Sequence, residues 1–280
     1  MKICKTKEEL IAILALAKTN KQSIGFVPTM GAIHFGHTSL INKAKSENDL
    51  VVCSIFVNPT QFNDPSDLLK YPRPIENDMQ LLESVNCDVL FLPEISEMYS
   101  PGEIWEHSFG EIELGYEGAS RPGHFKGVGQ IVYKLLSLIQ PNKAYFGQKD
   151  FQQTIVVKQL VKDFRLLTEI VVCPILRADD GLALSSRNIR LNELERVDAA
   201  KIYEVLNNCK SQFLQHEAIS TIQLTAENAL QSIPNVQLEY FAIVAQDDLN
   251  TWDISKPEAP IAIVALRFPS VRLIDNMVLE

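Results

Sequence analysis

An α/β fold, a doubly wound parallel sheet followed by a smaller α+β domain, is predicted by three observations. Short apolar runs rich in β-branched residues alternate with segments of helical periodicity as far as about residue 175. Several of these runs are continuously apolar, as in strands covered by helices on both faces. Beyond residue 175 the order changes to two helices and then three β-like runs, the pattern of a separate α+β domain. The expected domains are therefore 1–175 and 176–280.

The elements follow in order. Residues 8–18 carry Leu10, Ile11, Leu14 and Leu16 at helical spacing, and 23–27 read as a strand. Residues 37–46 read as a helix with Leu40, Ile41 and Ala44 inward, and 50–57 as a buried strand. A helix over 77–84, a short strand over 88–92 and a helix over 127–139 come next. A strand over 143–146, a helix over 150–163 and a strand over 169–175 complete the first domain. In the second, helices are expected over 193–214 and 220–232, and β-runs over 236–244, 260–268 and 271–279.

The 280 residues are 46% hydrophobic and 22% charged, an ordinary globular composition with length enough for a sizeable core. Net charge is −9 and no long Lys/Arg run occurs, which argues against a broad nucleic-acid surface while allowing a local basic pocket. Cys4, Cys53, Cys87, Cys173 and Cys209 are scattered without a Cys-x-x-Cys pair, so they read as reduced thiols. The N-terminus lacks the apolar stretch of a signal peptide, and no apolar run approaches the ~18 residues of a membrane span. A soluble, cytoplasmic protein is expected.

Three chemistry-bearing clusters, 28–37, 58–63 and 147–153, directly follow predicted strands. Ligands of parallel sheets bind outside the carboxyl ends of their strands. In the first cluster, PTMGAIHFGH, His34 and His37 share a helical face at a strand-to-helix turn. Free N–H groups and the dipole at such a terminus favour phosphate, two imidazoles can donate to it, and Gly36 permits close approach. A His-x-x-His pair by itself also fits half of a metal site. Gly147, Gln148, Lys149 and Asp150 combine a turn, a point charge for phosphate and an acceptor for ribose hydroxyls; Asp150 equally suits a helix N-cap. Ser185, Ser186 and Arg187 form a hydroxyl–guanidinium strip that reads either as a phosphate binder or as a surface loop. Gln61 and Gln153 offer neutral donors and acceptors for a hydroxylated substrate, or are exposed loop residues. Residues 118–127, with Arg121, His124 and Lys126, read as a mobile basic loop or a plain connection.

The HxGH pattern resembles that of the nucleotidyltransferases. With residues 56–62, Tyr71-Pro72-Arg73, 117–129, 146–153, 180–188, and Leu266-Arg267 with Arg272-Leu273-Ile274-Asp275-Asn276, the chain closely resembles the pantoate–β-alanine ligase (pantothenate synthetase) family. That resemblance implies a Rossmann-like sheet domain and a C-terminal lid. It implies ATP-dependent activation of pantoate to pantoyl adenylate with release of pyrophosphate, then attack by the β-alanine amine to give pantothenate and AMP. It places Met30, Gly31, Ala32, Ile33, His34, Phe35, Gly36 and His37 in the ATP-binding turn, with His37 the proton donor. Gly147, Gln148, Lys149 and Asp150 join them, Lys149 on phosphate and Asp150 near ribose. Leu176 contacts the nucleotide through its backbone, and Leu184, Ser185, Ser186 and Arg187 form the counterpart of the KMSKS loop. His34, His37, Lys149 and Arg187 carry the catalytic roles. Gln61 and Gln153 hold pantoate, Gln61 also lies near β-alanine, and Asn58 lines the same pocket. The resemblance also implies Mg²⁺ dependence and a homodimer, with no nucleic-acid or membrane partner.

Phe35 stands where the family often has an acidic residue, Gln148 where Glu is common, and the acidic patch near Asn77 and Asp78 is thin; no metal ligand is assigned. The alternative enzyme is another HxGH nucleotidyltransferase that stops at a stable nucleotide product. A nucleotide-sensing module that releases no AMP is the non-enzymatic one.

Overall fold

Strands β1 (Lys2–Cys4), β2 (Ile24–Thr29), β3 (Leu50–Ile55), β4 (Val89–Phe91), β5 (Lys143–Gly147) and β6 (Glu169–Cys173) form one sheet in the computed structural model, which describes all residues from Met1 to Glu280. Every neighbouring pair is parallel, and the lateral order is β1-β4-β3-β2-β5-β6. From β2 the chain steps through β3 to β4 on one side, then returns to lay β5 on the other flank of β2. The order reverses between β2 and β5, which is where open α/β sheets form a ligand crevice. The three clusters expected at strand ends follow β3, β2 and β5, three adjacent strands.

Helices α1 (Lys7–Thr19), α2 (Phe35–Glu47), α3 (Pro65–Lys70), α4 (Ile75–Ser84), α5 (Ile95–Met98), α6 (Glu117–Ser120), α7 (His124–Ile139) and α8 (Phe151–Asp163) surround this sheet. Successive strand side chains point to opposite faces, and the core divides accordingly. Phe26, Val52, Val89, Phe91, Ala144 and Phe146 pack with α1, α7 and α8 residues. Val27, Val51, Cys53, Leu90 and Tyr145 pack with Leu40, Ile41 and Ala44 of α2 and Leu82 of α4. Two buried faces explain why the strands read as continuous apolar runs.

Helix α7 starts at His124, three residues before the periodicity predicts, because Gly123 takes φ +80° and turns the chain into it. A Cβ at Gly127 would lie 2.3 Å from the Thr60 carbonyl oxygen, so the helix approaches the Pro59–Gln61 turn more closely than any side chain allows. The edge strand β1 has no counterpart among the predicted elements. Three residues are too few for a period, and only pairing of Lys2, Ile3 and Cys4 with Val89, Leu90 and Phe91 defines it.

Two compact units divide the chain: Met1–Gly147 with Gln152–Cys173, and Gln148–Phe151 with Pro174–Glu280. The second unit takes in the Gln148–Phe151 turn, which the sequence places inside the first domain. Its sheet is antiparallel, in the order β7 (Gln237–Val244), β8 (Ile261–Arg267), β9 (Arg272–Val278). Ala199, Ile202, Leu206 and Cys209 of α9 (Glu193–Leu214) and Ile222, Ala226 and Leu230 of α10 (Ile219–Gln231) share one core with Ala262, Val264 and Leu266 of β8. All five cysteines are buried and free. No helix is long and apolar enough to cross a membrane.

Candidate active site

In the first unit, β2 ends in a turn that its own backbone does not stabilise. Gly31 (φ +82°) and Ala32 (φ +50°) both occupy the left-handed region, which for Ala32 costs about 1–3 kcal/mol. Asp78, fully buried on α4, holds the turn: Oδ2 accepts from the Ala32 N–H at 2.9 Å and Oδ1 from the Ile33 N–H at 2.7 Å. Burial pushes the Asp78 carboxyl above the usual carboxylate range, and the two N–H donors oppose that rise. A Cβ at Gly31 would stand 3.0 Å from Asp78 Oδ2, so glycine is what admits the carboxylate.

The turn delivers His34 to the N-cap of α2. Its Nδ1 accepts the Gly36 N–H at 3.1 Å, and His37 Nδ1 accepts the His34 N–H at 3.3 Å. Ring centroids are 4.0 Å apart. A backbone N–H only donates, so both Nδ1 atoms are acceptors, and each neutral ring carries its proton on Nε2. Two N–H donors at a helix N-terminus suit an anion. Phe35, between them, is 72% exposed.

After β3, Asn58 and Gln61 form a buried amide relay. Asn58 Nδ2 donates to Gln61 Oε1 and to the Gly127 carbonyl, both at 3.1 Å. Asn58 Oδ1 accepts from Tyr99 Oη at 2.7 Å and Thr60 Oγ1 at 3.1 Å. These four bonds fill the Asn58 amide, so in this structure Asn58 orients Gln61. Gln61 Nε2 lies 2.9 Å from Met30 Sδ, which brings the two strand-end clusters together. The Gln61 carbonyl accepts from His124 Nδ1 at 2.8 Å and Arg121 Nη2 at 3.3 Å. Residues 118–127 read in sequence as a mobile basic loop. They are instead largely helical, in α6 and the start of α7, with His124 buried and spent on the Gln61 backbone. Gln153 is half-buried in the first turn of α8; its buried neighbour Gln152 braces residues 112–117 by donating to Ile112 and Gly115 carbonyls and accepting the Glu117 N–H.

In the second unit, Gln148, Lys149 and Asp150 form a single 3-10 turn, with Lys149 Nζ 3.9 Å from Asp150 Oδ1. Leu176 and Leu184 face each other across a tight turn, the Leu184 N–H donating to the Leu176 carbonyl at 3.0 Å. Ser185, Ser186 and Arg187 follow directly, and Ser185 Oγ accepts the Arg187 N–H at 3.3 Å. Gly147, Met30–His37, Asn58, Gln61 and Gln153 thus belong to one unit, and Gln148–Asp150, Leu176 and 184–187 to the other.

Sequence reasoning named Asp78 and Asn276 without giving either a role, and it passed over Tyr99. Asp78 did leave a signal: a carboxylate three residues after Ile75 and four before Leu82, in the inward register of an amphipathic helix. Tyr99 left none, because its partner Asn58 is 41 residues away.

The pattern that describes the Pantoate-beta-alanine ligase family matches residues 2–278. The chain is 44% identical over 274 residues to pantothenate synthetase of Cytophaga hutchinsonii, covering 97% of each chain. It is 42% identical to that of Bacteroides fragilis, covering 99% of this chain and 98% of the relative. Among solved structures, pantothenate synthetase from Thermus thermophilus superposes with a TM-score of 0.94 at 40% identity, covering 100% of this chain and 99% of that one. The pantoate-beta-alanine ligase from Francisella tularensis complexed with beta-gamma ATP and beta-alanine gives 0.81 at 39% identity, covering 100% and 98%. With the match spanning both units and the histidine turn, this chain belongs to the pantoate–β-alanine ligase family.

Proposed function

We infer that this chain condenses pantoate with β-alanine at the expense of ATP, through a pantoyl adenylate. The observation that carries the reading is the histidine turn itself: two Nδ1-anchored imidazoles at the N-terminus of α2, in a turn whose Met30 meets the Gln61 amide. A carboxylate resists attack by amines. Attack of a pantoate carboxylate oxygen on the α-phosphorus expels pyrophosphate and leaves a mixed anhydride. The β-alanine nitrogen then attacks the acyl carbon, the C–O bond to phosphate breaks, AMP departs and the nitrogen loses a proton.

No protein nucleophile is needed. The protein positions the reactants and stabilises negative charge that grows on the leaving pyrophosphate. His34 and His37 donate to that charge from Nε2, His37 as proton donor, and Lys149 and Arg187 add positive charge. The Met30–His37 turn, Gly147–Asp150, Leu176 and 184–187 hold ATP. Gln61 and Gln153 hold pantoate. The second unit acts as a lid that keeps water from the adenylate.

Mg²⁺ enters this reading with the nucleotide. No group of three or more His, Cys, Asp and Glu side chains offers a ligand set, and Mg²⁺ commonly rides on substrate phosphates with few protein ligands. Family likeness supports a cytoplasmic homodimer.

The deciding experiment is exchange of labelled pyrophosphate into ATP with Mg²⁺ and without β-alanine. Exchange that requires pantoate is the expected result. Folded, ATP-binding protein that gives none would exclude a separate adenylate; a stable nucleotide product from another acid or phosphorylated alcohol would favour the alternative nucleotidyltransferase.

A further inference from the structure

Asn276 sits in the middle of β9 with 2% of its surface exposed, an expensive place for an amide unless every polar atom is bonded. Its side chain spends its bonds on one short segment. Nδ2 donates to the Gln148 carbonyl at 2.9 Å and to the Lys149 carbonyl at 3.0 Å. Oδ1 accepts from Gln148 Nε2 at 3.1 Å. Two consecutive peptide units of the turn that carries Lys149 are thereby tied to one strand residue 127 positions later.

Asn276 is itself held at both ends of its backbone. Asp275 Oδ1 accepts the Asn276 N–H at 2.7 Å, and Arg177 Nη2 donates to the Asn276 carbonyl at 3.1 Å. Arg177 grips the buried Asp275 carboxylate with both arms, at 2.6 and 3.0 Å, and its guanidinium lies 4.5 Å from the Tyr203 ring centroid. A planar bidentate pair braced on an aromatic ring is a rigid mount. A hydrophobic strand residue would fill the same volume at lower desolvation cost, so the amide is not there for packing. Its two N–H groups match the spacing of two successive carbonyls of the turn.

We propose that Asn276 is a positioning residue for Lys149, fixing the backbone from which the Lys149 ammonium reaches the triphosphate. The triphosphate as Lys149's target rests on the functional reading above. Asn276 touches no substrate in this account; its effect passes through Lys149.

The test is a double-mutant cycle on ATP affinity, measured by calorimetry on the full chain: wild type, Asn276→Ala, Lys149→Ala and the pair. In the wild-type background Asn276→Ala is expected to weaken ATP binding about tenfold, and in the Lys149→Ala background less than about twofold. Asn276→Ser, which keeps one donor, should fall between wild type and alanine. In the exchange assay, kcat/KM for ATP should drop by a similar factor while KM for pantoate stays within about twofold. The full tenfold loss in the Lys149→Ala background would overturn the proposal, as would an unchanged ATP affinity in both Asn276 variants. A variant with altered circular dichroism is replaced by Asn276→Ser, on which the same cycle is read. The cycle reads ATP binding alone, so wild-type protein that binds ATP but shows no pantoate-dependent exchange would defeat the functional reading and leave the Asn276–Lys149 coupling measurable.

Discussion

His37 Nδ1 accepts the backbone N–H of His34 at 3.3 Å, so one member of the histidine pair fixes the backbone from which the other projects. The same bond sets the His37 tautomer, leaving the proton of the neutral ring on Nε2. Position, protonation and helix capping are thus one arrangement, and they can be separated by substitution. Asparagine can reproduce the Nδ1 acceptor but not the Nε2 donor. His37→Asn is therefore expected to keep the stability of the fold while lowering pantoate-dependent exchange by about 10²–10³-fold, the usual cost of one lost charge-stabilising donor. His37→Ala should lose both. Exchange within tenfold of wild type in pure His37→Asn protein would remove the donor role.

Asp78 replaces the missing stability of the turn before His34. Asn at this position would keep one acceptor oxygen but set an NH₂ group against the other of the two backbone N–H donors. Asp78→Asn is expected to destabilise the protein by about 2 kcal/mol, as for a lost bond to a charged acceptor, and to lower exchange together with it. Urea denaturation measures the first quantity. Unchanged stability would mean that Ala32 holds its left-handed conformation without the carboxylate.

The Tyr99–Asn58–Gln61 relay orients the Gln61 amide. Gln61→Ala should raise KM for pantoate far more than KM for ATP. Tyr99→Phe removes one donor to Asn58 Oδ1, worth about 1 kcal/mol, and should raise the same constant about fivefold. Steady-state kinetics with each substrate varied in turn distinguishes these outcomes; equal effects on both substrates would place Gln61 away from pantoate.

Acid stability has a separate source at the far end of α2. Glu47 accepts from Lys43 at 2.6 Å, Tyr145 Oη at 2.8 Å and Lys143 at 3.1 Å, and these bonds hold its carboxyl down at about 2, below its ordinary 4.5. A carboxyl depressed by folding stabilises above its unfolded value, and the contribution is lost as pH falls through the folded one. Between pH 4.5 and about 2 the wild type should therefore lose stability more steeply than Glu47→Gln. Denaturant midpoints measured across that interval decide; parallel curves would show that the three donors do not act on Glu47.

Much of this protein was legible in its residues. The apolar runs at 23–27, 50–57 and 143–146 lie on β2, β3 and β5, because a strand buried on both faces has no polar alternative. The later order of two helices and three strands was legible for a different reason: α9 and α10 each bury one apolar stripe at helical spacing. The HxGH turn was legible because its chemistry lies within ten residues. Tertiary structure alone decided what holds those groups. Asp78 is 46 residues from Ala32, Tyr99 is 41 from Asn58, and Asn276 is 127 from Lys149. Local periodicity reports which face of an element is buried. It does not report which distant carbonyl or N–H a buried polar group satisfies, and that pairing, set by how the strands order themselves in the sheet, is what gives the candidate site its geometry.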